Sequence, residues 1–441
     1  MAFGGYLKIL IAGLMLAFVQ ACASVPETTP QKPSGHVKTE IPPPFPITSQ
    51  SLRTERIDRL LKELVAEGSV PGLSVLIYEG DTETYFGAVG YSDIENKTIL
   101  KRSDVGRYYS MTKPIIGVAM MMLYEQGKFE LDDPVSKYLP EYSNMMVYGG
   151  ENEDGSMKLE VAAQPITIRD LMRHTSGFTY GFIPTPIDKI YAKNRVLDFD
   201  QTLVQFSEKL ATMPLLFQPA TRYNYSVSTD VQGRLIELFS GQKLGTYLET
   251  NIFKPLAMTH TGFSVKTKDR VRFGAVYGRD ETGLIRLQDG HLKLPLGMDV
   301  DRPFLEDVSF ESGGSGLVST IDDYAKFALM LQADDGSLIK SSSLALMTKD
   351  QLGDIPKGHL GEGISFGLNF AVKTSPQSTG DYAVPKGTFY WGGMAGTAFF
   401  IDDKTDLTLI MHMQIFSHGQ ANVRERMAKA VYGKPASQTH E

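Results

Sequence analysis

Apolar residues at Ile57, Leu60, Leu61 and Leu64 recur at the spacing of one helix face, and Gly68 supplies a stop. The period then shortens: residues 73–78 and 84–89 read as two strands joined by a tight Glu79-Gly80-Asp81 turn. The same pattern returns near the far end, where strands at 397–401 and 407–415 flank Asp402-Asp403-Lys404 and a closing helix is expected over about 420–432. The stretch between is mostly helical in period, with helices expected at 168–174, 202–211, 229–239 and 321–331. These elements predict an α+β fold: an antiparallel sheet built from both chain ends, flanked by terminal helices, with a mostly helical subdomain inserted. No internal repeat is evident.

One segment breaks the amphipathic pattern. After Lys113-Pro114 the chain runs Ile115, Ile116, Val118, Ala119, Met120, Met121, Met122, Leu123, apolar on every side, which predicts a buried helix with Pro114 in its first turn. Ser110 then stands at the helix N-terminus with Lys113 one turn on and on nearly the same face. A desolvated lysine has a lowered pKa, and as the neutral amine it can take a proton from serine, while the helix dipole favours the negative charge of acyl transfer. Ser-x-x-Lys occurs three times, at Ser110/Lys113, Ser240/Lys243 and Ser337/Lys340, but only the first opens a long buried helix. Ser240 precedes Gly241 at a helix end, and Ser337 follows an Asp334-Asp335-Gly336 turn.

At 441 residues and 42% hydrophobic the chain has ample material for a core. A formal net charge of -7 leaves no basic stripe for nucleic acid, so a nucleic-acid partner is not expected. Lys8 followed by an apolar run at 9–19, too short to span a bilayer, reads as a signal peptide over 1–22. Cys22, the single cysteine, closes Val19-Gln20-Ala21-Cys22, which resembles the lipobox of bacterial lipoproteins; cleavage after Ala23 is the alternative. Residues 23–50, with Pro26, Pro30, Pro33, Pro42, Pro43, Pro44 and Pro46, read as an extended, disordered linker ahead of a folded domain at 51–435 and a tail at 436–441. Export, with lipid anchoring to the cell envelope through Cys22, is the expected localisation; periplasmic or secreted release follows if Cys22 is not lipidated.

A serine nucleophile also needs a base, an oxyanion hole and a pocket. Tyr225 follows a turn at 217–221 and precedes a helix, where its phenol can project toward the serine and act as base beside a lysine. Trp391-Gly392-Gly393 begins a late strand whose glycines leave main-chain N–H groups open as oxyanion donors and shape a substrate pocket. No His-Glu-x-x-His or cysteine cluster is present, and no metal or cofactor is expected. His174 beside Ser176 reads as part of a turn, and Gly313-Gly314-Ser315-Gly316 as a turn into a helix that Asp322 caps. His412 receives no role.

Together, Ser110-Met111-Thr112-Lys113, Leu171-Met172-Arg173-His174-Thr175-Ser176-Gly177, Tyr225-Ser226, Pro255-Leu256-Ala257-Met258-Thr259-His260-Thr261, Gly313-Gly314-Ser315-Gly316-Leu317-Val318-Ser319-Thr320 and Trp391-Gly392-Gly393 occur in order. On these motifs residues 57–432 resemble the serine β-lactamase and penicillin-binding protein superfamily, in the class C β-lactamase-like branch that includes family VIII carboxylesterases. The resemblance implies attack by Ser110, proton transfer through Lys113 and Tyr225, and an oxyanion hole made by the backbone N–H groups of Ser110 and Met394. Two departures stand out. Trp391-Gly392-Gly393 occupies the place of the Lys-Thr-Gly usual in β-lactam-recognising members, and Tyr225-Ser226-Val227 lacks the asparagine of Tyr-x-Asn; Tyr223-Asn224 does not restore the spacing. The expected substrate is therefore a small carboxylic ester with a short acyl chain. The alternatives are a β-lactam or cell-wall peptide, cleaved by a β-lactamase or D,D-carboxypeptidase, and a non-catalytic envelope lipoprotein. The loops at 148–159 and 183–200 are expected at the pocket mouth.

Overall fold

The computed structural model describes residues 50–288, 299–378, 383–416 and 418–433. The readings of the signal peptide, of Cys22, of the linker up to residue 49 and of the tail lie outside them. Helix α1 (Gln50–Ala66) buries Ile57, Leu60, Leu61 and Leu64, the face its spacing predicts. Strands β1 (Gly72–Glu79) and β2 (Thr82–Asp93) follow, joined at Gly80, whose φ of +59° suits the residue without a Cβ. The sheet is completed by β3 (Thr98–Ile99), β4 (Ile364–Phe366), β5 (Ala371–Lys373), β6 (Phe389–Gly392), β7 (Ala398–Asp402) and β8 (Leu407–His412). The order across this eight-stranded antiparallel sheet is β4-β5-β6-β7-β8-β1-β2-β3, so strands from the two chain ends pair at its centre. Val75 lies opposite Met411 and Ile77 opposite Leu409.

Alternation along these strands builds two cores. Val75, Ile77, Leu409 and Met411 pack with α1 and with α5 (Val423–Tyr432) on one face. Leu76 and Ile410 point the other way, into the larger cluster that holds α2 (Thr112–Glu125), α3 (Ser228–Ser240) and α4 (Ile321–Ala333). Because both faces are covered, β1 is buried from Gly72 to Ile77 and β8 throughout, unlike a sheet with one wet face. Eleven of the fourteen residues of α2 are buried, as its uninterrupted apolar run requires.

Several expectations shift in detail. The helix expected at 168–174 is Ile168–Met172; the backbone then turns, and His174 takes a φ of +56°. Asp322 does not cap α4: the Thr320 side chain accepts the Asp323 N–H, and Asp322 instead pairs with Arg102 at 2.7 Å. The segment at 148–159 is mostly a β-hairpin, Met146–Glu151 with Met157–Val161, and 183–200 contains the helix Pro186–Lys193 with Thr185 as its cap. Strands β4 and β5 were not legible, since three residues cannot display a period.

His412, at the end of β8, is 2% exposed, its Nδ1 has no hydrogen-bond partner among the described residues, and burial pulls its pKa down to about 4. The unfolded chain takes up this proton near pH 6.5 while the folded chain resists it, so stability is full above that pH and is lost as pH falls toward 4. Between pH 7 and pH 5 this histidine should cost about 2 kcal/mol of unfolding free energy, and His412→Leu should flatten that slope. Urea midpoints of both proteins at the two pH values test this; equal slopes would refute it.

Candidate active site

The chain enters the site through Gly106–Arg107, which pairs with Val318–Ser319. Tyr108 N–H then donates to the Leu317 carbonyl at 2.9 Å, and Leu317 N–H donates to Thr112 Oγ1 at 3.1 Å. A single 3₁₀ turn, Tyr109–Met111, carries Ser110 into α2. Tyr109 has a φ of +44°, a left-handed backbone that a bulky residue adopts only when its surroundings enforce it. Here the rings of Phe304 and Phe416, each 5.6 Å away, grip Tyr109, and the bend leaves Ser110 partly exposed at the helix end.

Lys113, one turn along, has no solvent exposure. Its Nζ donates to Ser110 Oγ at 3.2 Å and to the Gly314 carbonyl at 2.6 Å. It also lies 4.6 Å from the Tyr225 ring centroid and 5.4 Å from that of Tyr180, within range of a cation–π attraction. Lys113 thus lies between Ser110 and the ring of Tyr225. The Tyr225 hydroxyl is buried and has no hydrogen-bond partner among the described residues. Its ring is wedged between Trp391 at 5.4 Å, Tyr180 at 5.3 Å and His174 at 4.8 Å.

Three groups around this cluster were missed by sequence reasoning. Asp230, fully buried on the first turn of α3, accepts from the Ser312 hydroxyl at 2.6 Å and the Gly314 N–H at 3.0 Å. It thereby fixes the turn whose carbonyl receives Lys113. Burial raises its carboxyl pKa, against the pull of the Ser312 hydroxyl, the Lys113 charge and the Gly314 N–H. Tyr180 packs on the other side, its phenol held well above the usual range by burial and by Tyr225 and Asp230. Nothing in their spacing relative to Ser110 marks either residue. Arg424, on the first turn of α5, donates from Nη2 to the carbonyls of Gly393 and Thr397, both at 3.2 Å. Burial lowers its pKa to about 10, so it is cationic at neutral pH.

His174 does not address Ser110. Its Nδ1 meets Ser226 Oγ at 3.3 Å, and that hydroxyl leads through Ser228 to Ser176 at 2.8 and 2.7 Å. Burial, then the Lys113 charge, holds its pKa well below the usual range, so it is a neutral floor beneath Tyr225. Asn224 likewise turns away from the serine, its side-chain amide donating to the Phe178 carbonyl at 2.8 Å.

The glycines of Trp391-Gly392-Gly393 have packing reasons beyond those expected. A Cβ on Gly393 would collide with the Tyr108 carbonyl oxygen and with Thr397 Oγ1, so this glycine lets the end of β6 lie against the segment that carries Ser110. One on Gly392 would overlap the Arg424 guanidinium. Gly393 N–H closes a turn onto the Thr397 carbonyl at 2.7 Å, and Met394, partly exposed within that turn, donates its N–H to no acceptor among the described residues.

A sheet assembled from both chain ends, with a serine and a buried lysine on the helix beside it, defines a class of acyl-transferring serine enzymes. The sequence profile of the Beta-lactamase family matches residues 57–434, and the chain belongs to that family. It is a serine hydrolase. Protein Rv1367c of Mycobacterium tuberculosis is 33% identical over 369 residues, covering 80% of this chain and 88% of that protein. Esterase EstB of Burkholderia gladioli is 28% identical over 385 residues, covering 84% and 92%. Among solved structures, EstCE1, described as a hydrolase with promiscuous acyltransferase activity, superposes with a TM-score of 0.72 at 26% identity, over 87% of this chain and all of that one. The simvastatin synthase LovD of Aspergillus terreus shares the fold, with a TM-score of 0.70 at 22% identity over 88% of this chain and 99% of that one.

Gly314→Ala tests how the lysine is held. The added Cβ would sit 2.6 Å from Asp230 Oδ2 and 3.1 Å from the Tyr180 hydroxyl, so the turn must shift and take the Lys113 acceptor with it. Turnover should fall about 10- to 100-fold, the cost of a small misplacement at a reacting group. Steady-state kinetics beside a thermal melt check this, and unchanged kcat in the folded variant would contradict it.

Proposed function

We propose that this hydrolase cleaves small carboxylic esters with short acyl chains through an acyl-serine intermediate on Ser110. The observation that carries the reading is the placement of Trp391: its ring, 7% exposed, packs against Tyr225 beside the nucleophile, where a carboxylate-binding strand cation would serve a β-lactam or a peptide. An apolar aromatic wall accepts an ester without a charge to neutralise. That EstB is named an esterase supports the same substrate class.

In the proposed reaction Ser110 Oγ bonds to the carbonyl carbon as its proton passes to Lys113 or Tyr225. The oxyanion forms against the N–H groups of Ser110 and Met394, and Tyr225 returns the proton to the departing alcohol. Water, activated at the same tyrosine, then releases the acid. The acyltransferase activity in the description of EstCE1 supports an alcohol as a second acceptor for the same acyl-enzyme, measurable as ester exchange. We further propose export and anchoring through a lipidated Cys22, supported by the apolar leader, the lipobox-like Val19-Gln20-Ala21-Cys22 and the proline-rich segment after it.

The soluble domain lacking the first ~50 residues should hydrolyse p-nitrophenyl butyrate and leave a chromogenic cephalosporin nearly untouched. Ser110→Ala should abolish turnover, and Tyr225→Phe should lower it about 100- to 10,000-fold, the range for losing a general acid–base. Strong cephalosporin turnover would overturn the substrate assignment. Ester turnover persisting in Ser110→Ala would overturn the mechanism.

A further inference from the structure

Residues alternate along β6, so Trp391 faces the site while Gly392 faces the side of the sheet that carries α1 and α5. Arg424 reaches β6 from that rear side. Its guanidinium fills the space a side chain at position 392 would need, and Nη2 donates to the Gly393 and Thr397 carbonyls at 3.2 Å. The Gly393 carbonyl also accepts the Gly396 N–H at 3.1 Å. That carbonyl and the Met394 N–H are the two ends of one planar, conjugated peptide unit. A cation bonded to the oxygen draws electron density through the unit and strengthens the N–H at the other end as a donor, as in any polarised hydrogen-bond chain. The Met394 N–H is the end left without a protein acceptor among the described residues.

We propose that Arg424 is a positioning residue for the oxyanion hole, acting through the peptide between Gly393 and Met394: it fixes the turn and polarises the donor that receives the developing negative charge. The positive charge absent from the front of this strand is thus supplied from behind it, where it stabilises the transition state and presents no charge to the substrate. This inference rests on the reading that Ser110 is acylated and that Met394 N–H meets the oxyanion.

The test compares Arg424→Gln, which can keep a donor but loses the charge, with Arg424→Lys, which keeps the charge. Two quantities are read: turnover of p-nitrophenyl butyrate, and inhibition by an alkylboronic acid, which forms an anionic tetrahedral adduct on a reactive serine. Arg424→Gln should lower kcat about 10- to 100-fold, somewhat less than deleting an oxyanion donor. KM should stay within about 2-fold, and boronic-acid affinity should fall in step with kcat. Arg424→Lys should stay within about 5-fold of the parent in both. Thermal melts confirm that each variant is folded. A folded Arg424→Gln with parental kcat and boronic-acid affinity would overturn the inference. So would a folded Arg424→Lys as slow as the glutamine variant, because a clamp that depends on guanidinium shape alone needs no charge. Should the glutamine variant not fold, the lysine variant decides alone by the same criterion. Ser110→Ala, run in parallel, separates the two readings: if it is inert while Arg424→Gln is unimpaired, only the role of Arg424 fails, and if it turns over, the catalytic reading fails first.

Discussion

The structure is organised around an amine with no access to water. Lys113 cannot be hydrated where it stands, and a polar group left without partners at that depth would cost several kcal/mol. Everything within reach answers that demand: the Gly314 carbonyl at 2.6 Å, the Ser110 hydroxyl at 3.2 Å, the faces of Tyr225 and Tyr180, and the Asp230 carboxyl behind the Gly314 turn. The partners that stabilise the lysine are also the ones that orient it toward the serine. Stability and chemistry share one set of contacts.

Those partners come from distant parts of the chain. Ser110 lies in the turn before α2 and Lys113 in its first turn, Tyr225 and Asp230 flank the start of α3, Gly314 lies ahead of α4, and Trp391 belongs to β6. The seam is held by short approaches that exclude side chains. Gly393 lies against the Tyr108 carbonyl, and Gly314 against Asp230 and Tyr180. Such contacts tolerate little movement, since a close-packed interior has no spare volume for an added methyl group. The site is rigid because both the sheet and the helical part must close on it.

The aromatic wall of Tyr225, Trp391, Tyr180 and His174 gives the site its second character. Rings in tilted contact at 4.8–5.4 Å leave Ser110 in an apolar setting, where the hydrogen bonds of the proposed oxyanion hole would count for more than they do in water. His174 belongs to this wall as a neutral ring, buried beyond easy protonation and tied to a file of serine hydroxyls. It is a support for Tyr225 and not a member of a Ser-His pair.

Much of this was legible in the sequence. The amphipathic face of α1, the alternation of β1 and β8, and the all-round apolar run of α2 each state a burial pattern that only one local conformation satisfies, and the chain obeys them. Ser110, Lys113 and Tyr225 could be singled out because helix geometry and turn chemistry act over a few residues. Asp230, Tyr180 and Arg424 could not, since their partners lie far along the chain: Asp230 meets Ser312 and Gly314, 82 and 84 residues away, Tyr180 meets Lys113 and Tyr225, and Arg424 meets Gly393 and Thr397, 31 and 27 residues away. The strands β4 and β5, three residues each, likewise exist only because β6 offers them an edge. The sequence alone determined which segments must be buried and which residues bring chemistry. Tertiary structure decided which charges face one another and which glycines allow close approach, because electrostatics and packing depend on distance in space and not on separation along the chain.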